Sequence, residues 1–141
     1  MDQPESNRFT LVVFSGTVDK LMAMATLATG AAAMGKDVYI FLTFWGLIAF
    51  RKDDWKTNRH FSKDYEEFAG PAFEMMKAKN VPPWIETLQS AMELGNVTVK
   101  ACAATMDLFD IHKDDLEPLV SEVTGVASFI AESEGGQTLF I

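Results

Sequence analysis

The residue best suited to chemistry in this 141-residue chain is Cys102, its one cysteine. The thiolate is the reactive form of the side chain, and a free thiol titrates near about 8.5. Cys102 ends the run Val97-Thr-Val-Lys-Ala101 and precedes Ala103 to Leu108, which reads as a helical turn or two. Amides of Ala103 and Ala104 at that helix start would face the sulfur and favour its anion. Lys100, two residues back on a strand, shares the same face and would help. The competing reading is a buried, inert thiol, because free cysteine is among the most buried residue types. Position alone does not separate the two.

Other candidates are weaker. Ser15-Gly16-Thr17 follows an apolar run. Its hydroxyls cap the next helix or offer themselves to an anion at that helix's N-terminus. No Gly-x-Ser-x-Gly elbow and no positioned base accompany Ser15. Gly30-Ala-Ala-Ala-Met-Gly35-Lys36 approaches a phosphate-binding loop, but Asp37 replaces the hydroxyl residue and the order is helix to strand. The two histidines, His60 and His112, make no ligand set with one thiol, so no metal and no cofactor are expected. His112, ten residues beyond Cys102, is a possible base. Phe44-Trp45 stands apart from the other aromatics, because it follows a strand at the sheet end expected to carry Cys102.

The elements that position these groups alternate. Phe9-Thr-Leu-Val-Val-Phe14 is a strand, and apolar residues at Val18, Leu21, Met22, Ala25, Ala28 and Ala32 keep helical spacing. Val38-Tyr-Ile-Phe-Leu-Thr43 is a second, near-continuously apolar strand, as in a parallel sheet covered on both faces. Together they form a right-handed βαβ unit. Arg51 to Glu67 carries ten charged residues in seventeen and reads as a solvated excursion; residues 51–82 are expected to be an irregular, partly helical insertion. A helix follows Gly70-Pro71, and another follows Pro82-Pro83 with Ile85, Leu88 and Met92 inward. A short fourth strand near Leu119–Val123, a helix around Phe129, and a last strand at Thr138–Ile141 complete the chain. The expected fold is a single α/β domain over 1–141, with a mostly parallel five-stranded sheet in order 2-1-3-4-5. In that order the first and third strands are neighbours, and Ser15 and Cys102 meet at one crevice.

Composition excludes several classes. The net charge is −8, and Asp107 to Glu134 holds eight acidic residues against Lys113 alone, which disfavours nucleic acid. One cysteine removes a disulfide scaffold. Met1 to Arg8 is polar rather than signal-like, and uncharged Val38–Phe50 is too short to span a bilayer, so a cytoplasmic protein without stable membrane insertion is expected.

The order of these motifs resembles the DsrE/DsrF-like sulfur-transfer family. The resemblance is carried by Ser15-Gly16-x-x-Asp19-Lys20, Ala31-Ala-Ala-Met-Gly35, Thr43-Phe-Trp-Gly-Leu47 and Arg51-Lys52 in the first half. In the second half it is carried by Cys102-x-x-Thr105-Met106-Asp107-Leu108-x-Asp110-Ile111, Asp115-Leu116 and Gly125-Val-Ala. The resemblance implies a flavodoxin-like three-layer sandwich, homo-oligomers, and a cysteine at Cys102 that accepts sulfur as a persulfide or thiosulfonate. It also implies donors and acceptors such as rhodanese or TusA-like carriers, or thiosulfate. On this reading Ser15, Gly16, Thr17, Ala103 and Ala104 bind the anionic sulfur group, Phe44, Trp45 and Met106 wall the pocket, and the sulfur lies open to solvent. The alternative is an oligomeric module that holds a small ligand near Trp45 and Cys102 without covalent chemistry.

Overall fold

The computed structural model describes residues 6–141; the polar stretch over residues 1–5 lies outside the described residues. Five strands form one parallel sheet: β1 (Arg8–Val13), β2 (Asp37–Leu42), β3 (Val97–Cys102), β4 (Glu122–Thr124) and β5 (Gln137–Phe140). The helices are α1 (Val18–Ala33), α2 (Phe44–Ile48), α3 (Ala69–Ala78), α4 (Trp84–Leu94), α5 (Ala103–Phe109) and α6 (Val126–Ser133). This is the flavodoxin-like α/β sandwich anticipated from the sequence.

The order within the sheet is β4-β3-β2-β1-β5, not 2-1-3-4-5. β2 therefore stands between β1 and β3, pairing Leu11 with Ile40 on one side and Ile40 with Val99 on the other. The chain steps in one direction from β1 to β4, then crosses back through α6 to lay β5 outside β1. β2 takes the centre because Val38 to Leu42 is buried at every position. An edge could not hide so apolar a strand.

Alternation divides the core into two layers. Leu11, Val13, Ile40, Leu42, Val99 and Ala101 are fully buried beneath α1 and α4, which pack along each other. The helix ends in a Schellman pattern, with Gly35 (φ +78°) donating to Ala32 O at 3.0 Å and Lys36 donating to Ala31 O at 3.0 Å. That is the role of the glycine in the phosphate-loop look-alike.

The opposite face carries Thr10, Tyr39, Phe41, Lys100 and Cys102, and α6 lies across it. Phe129 stacks on Phe41 with ring centroids 4.2 Å apart and is the one buried residue of α6. Val126 and Ile130, which share its helical stripe, are exposed, so this layer is thin.

Candidate functional site

Cys102 is the last residue of β3 and the N-cap residue of α5, and it is a free thiol. It is 7% exposed, so the residue is largely covered rather than open at the rim. Thr124 lies opposite it on β4. Leu42 pairs with Ala101, so Thr43 continues β2 beside Cys102. Lys100 is on the expected face but is committed elsewhere. Its ammonium sits 2.6 Å from Glu122 and 3.3 Å from Glu132, with the side chain 14% exposed. Hydrogen bonding to Glu122 raises its pKa. His112 is exposed and opens a 3-10 turn, its N–H bonded to Asp115 at 2.8 Å, with no hydrogen bond to Cys102.

Thr105, which is 2% exposed, ties the cysteine segment to β2. Its hydroxyl lies 3.1 Å from that of Thr43 and accepts the Phe44 N–H at 3.2 Å. Phe44 has φ +49°, a left-handed conformation that costs an L-residue about 1–2 kcal/mol. The hydrogen bond holds it there. Two glycines complete the arrangement. A Cβ on Gly46 would strike the Val13 carbonyl oxygen, and one on Gly16 would strike that of Trp45. The β1 mouth and α2 consequently touch backbone to backbone, with Gly46 N–H donating to Phe14 O at 2.8 Å.

The aromatics form a connected ridge over these strand ends. Phe14 reaches Phe44 at 5.5 Å and Phe140 at 5.7 Å, and Trp45 reaches Phe109 of α5 at 5.7 Å. Phe44, Trp45 and Phe140 are 38%, 51% and 71% exposed, which leaves the ridge open to a partner.

Beside it lies a cleft of about 530 Å³, lined by Ser15, Gly16, Thr17, Trp45, Arg51 and His60 among others. Its size falls within the range of small-molecule sites, and its position outside the carboxyl ends of β1 and β2 is where open α/β sheets bind ligands. Cys102 does not line it. Because β2 intervenes, the mouths of β1 and β3 are two strand spacings apart, about 10 Å. The single crevice expected from the sequence is thus two neighbouring places. Ser15, Gly16, Thr17 and Trp45 belong to one. Cys102, Ala103, Ala104 and Met106 belong to the other, with Phe44 bridging through Thr105. Ala104 is exposed, Ala103 half-buried and Met106 6% exposed.

The start of α1 is also engaged. Thr17 occupies the N-cap position, yet its hydroxyl makes no cap hydrogen bond and is buried without a partner. Val18 N–H donates to His60 O at 2.7 Å, Asn58 Nδ2 donates to Gly16 O at 2.9 Å, and Ser62 Oγ donates to Asp19 at 2.6 Å. Burial works to raise the Asp19 pKa, and hydrogen bonds to the carboxylate, those of Ser62 foremost, together outweigh it, so the carboxyl sits below its usual value. The charged excursion is therefore a strap over β1's mouth. Sequence reasoning missed Thr105, Asn58 and Ser62, and only Thr105 carried a signal, as part of the cysteine motif.

Among the described residues no group of three His, Cys, Asp or Glu side chains is placed to hold a metal ion, and no helix is long and apolar enough to cross a membrane.

A family model described as DsrE/DsrF/DrsH-like matches residues 5–74 and 72–140. The chain is 35% identical to the uncharacterized protein YrkE of Bacillus subtilis, over 97% of this chain and 98% of that one. It is 27% identical to the sulfur carrier protein DsrE2 of Allochromatium vinosum, over 89% and 91% of the two chains. Among solved structures it resembles MTH1491, a protein of unknown function from Methanobacterium thermoautotrophicum. That match has a TM-score of 0.56 at 16% identity and covers 95% and 98% of the two chains.

Proposed function

The chain belongs to the DsrE/DsrF/DrsH-like family, and from that premise we propose that it is a sulfur carrier of intracellular sulfur trafficking, with Cys102 as the atom that bears the sulfur. The observation that carries the reading is the placement of a lone free thiol at the carboxyl end of β3, at the N-cap of α5 and beside the Thr43–Trp45 segment. The name of the Allochromatium relative supports the same role.

The chemistry balances without a cofactor. The Cys102 thiolate attacks the outer sulfur of thiosulfate, an S–S bond forms to the protein, and the donor's S–S bond breaks to release sulfite. With tetrathionate, attack leaves a thiosulfonate on Cys102 and releases thiosulfate. An acceptor thiolate then attacks the outer sulfur of the persulfide, and Cys102 departs as thiolate. A rhodanese or TusA-like carrier fits as donor or acceptor. Amides of Ala103 and Ala104, in the first turn of α5, would stabilise the charged sulfur. Ser15, Gly16 and Thr17 serve the adjoining cleft, and Phe44, Trp45 and Met106 wall the approach. With one cysteine, no second thiol of the same chain resolves the adduct. The working form is a homo-oligomer in the cytoplasm.

Incubation with thiosulfate, tetrathionate or polysulfide, followed by intact-mass measurement, tests the reading. Wild type gains sulfur or a thiosulfonate group and Cys102→Ser does not. Equal labelling of both, or of neither, refutes it.

The cleft supports a second reading, a binding module for a small ligand. Its volume of about 530 Å³ and the half-exposed Trp45 in its wall favour it. On that reading Trp45 fluorescence responds to ligand equally in wild type and Cys102→Ser.

A further inference from the structure

Asn58 of the strap lines both the Trp45 cleft and a second cavity of about 290 Å³, bounded by α1, α3 and the start of α4. The second cavity has apolar walls: Met22 of α1, Trp55 of the strap, Phe73 and Met76 of α3, and Pro82. Its charged lining residues are Lys56, Arg59 and Lys77, with no acidic side chain among them. In a chain with 20 acidic residues against 12 basic, a cluster of one sign runs against the overall balance. Lys56 pairs with Asp53 at 2.8 Å, whereas Arg59 and Lys77 form no salt bridge among the described residues. The Arg59 guanidinium lies 4.1 Å from the centroid of the Phe73 ring, which sets a cation against the apolar wall.

The same cavity borders donors that the chain leaves unused. Trp84 lines it and is 3% exposed, and its indole N–H is buried without an acceptor. Trp84 also begins α4, whose N-cap residue Pro83 supplies no side-chain hydrogen bond. Glu86 and Thr87 donate their backbone N–H groups to Pro83 O at 3.0 and 3.2 Å. Those of Trp84 and Ile85 donate to nothing among the described residues. A buried donor without a partner is costly, and the start of a helix favours negative charge. The apolar surface extends further. Met22, Met76 and Val81 line this cavity and also a neighbouring groove of about 400 Å³, which adds Phe61, Ala72 and Met75. α3 buries none of its residues. Methionine walls adapt to what they cover, which suits a flexible chain running from one space into the next.

We infer that this cavity binds a medium-chain acyl carboxylate, its head held by Arg59, Lys77 and the donors at the start of α4, and its hydrocarbon tail lying along Met22 and Met76 toward the groove beside α3. The inference goes beyond the carrier reading. It uses no atom of Cys102 and stands whether or not sulfur is carried.

Isothermal titration calorimetry of the full chain with decanoate, kept below its micelle-forming concentration, tests it, with decanol as the neutral counterpart. Decanoate binds saturably, and decanol at least about tenfold more weakly, because a hydroxyl makes no charge-assisted contact with the cations. Arg59→Gln with Lys77→Gln, both at exposed positions, weakens decanoate at least about tenfold, and added salt weakens it as well. Val81→Glu, at a residue 41% exposed that lines both spaces, abolishes binding by placing a like charge beside the tail. Circular dichroism checks the fold of each variant. In proton–nitrogen correlation spectra the Trp84 indole N–H resonance moves downfield as decanoate is added. Absence of saturable binding overturns the inference. So do equal affinities for decanol and decanoate, unchanged affinity in the Arg59 and Lys77 double variant or in Val81→Glu, or an indole resonance that stays in place.

Discussion

Replacing Thr105 by valine removes one hydroxyl and changes almost nothing in shape. That hydroxyl is the acceptor for the Phe44 N–H at 3.2 Å and a partner of the Thr43 hydroxyl at 3.1 Å, at a residue 2% exposed. A buried donor left unpaired costs about 1–3 kcal/mol, and the half-buried Thr43 hydroxyl can turn toward water, so the expected loss is about 2 kcal/mol. Unfolding entropy of roughly 2.1 cal/mol/K per residue over 141 residues converts this to a fall of about 7 °C in melting temperature. Serine at the same position keeps the acceptor and forfeits a methyl group, costing about 1 kcal/mol. Hydrogen exchange at the Phe44 amide separates the causes. Valine is expected to lose about 30-fold in protection and serine little, since about 1.4 kcal/mol is a factor of ten. The reasoning fails if valine melts within about 1 °C of wild type, or if serine exposes the Phe44 amide as much as valine does.

Gly46→Ala is expected to cost about 3 kcal/mol, because the added carbon meets the Val13 carbonyl and backbone cannot give way; urea unfolding measures it. Phe129→Ala is expected to cost about 3 kcal/mol, the low end for a buried phenylalanine, because α6 is open to solvent on its other sides. Exchange in α6 should rise sharply while α1 stays protected. Ser62→Ala probes Asp19, whose pKa is lowered in the fold. Its contribution is fully present above the unfolded value near about 3.9 and disappears as pH falls through the depressed one. The variant should be about 1 kcal/mol less stable at neutral pH and match wild type in strong acid. A difference that persists in acid would assign Ser62 a role other than holding the carboxylate.

The alternating elements were legible because Val38–Leu42 and Val97–Ala101 are strand-like and Val18–Ala32 keeps helical spacing. Strand order was not, since right-handed crossovers permit β1 to stand either beside β3 or outside β2. One clue lay unused. β2 is the most continuously apolar strand, and an order that leaves it on an edge would put Val38 to Leu42 in water. The error mattered for the site, because it merged the Ser15 and Cys102 mouths into one. α6 carries Val126, Phe129 and Ile130 at helical spacing, but only Phe129 is buried. Apolar spacing shows which face a helix would bury, not whether the chain supplies anything to cover it. The same holds for single apolar residues of the helices: Met75 of α3 is 60% exposed and Trp84 of α4 only 3%.

On the carrier reading proposed above, the 7% exposure of Cys102 would set a clock for the sulfur it bears. Small solutes would meet so covered a residue less often than an exposed one, so their encounter would depend on local opening as well as on intrinsic nucleophilicity. A persulfide there would outlast many collisions with free reductants and peroxides, which destroy exposed sulfane sulfur or drive a thiolate up the oxidation ladder. Delivery would then wait for a protein large enough to pry the rim apart. Discrimination between leakage and hand-over would thus be a matter of timing.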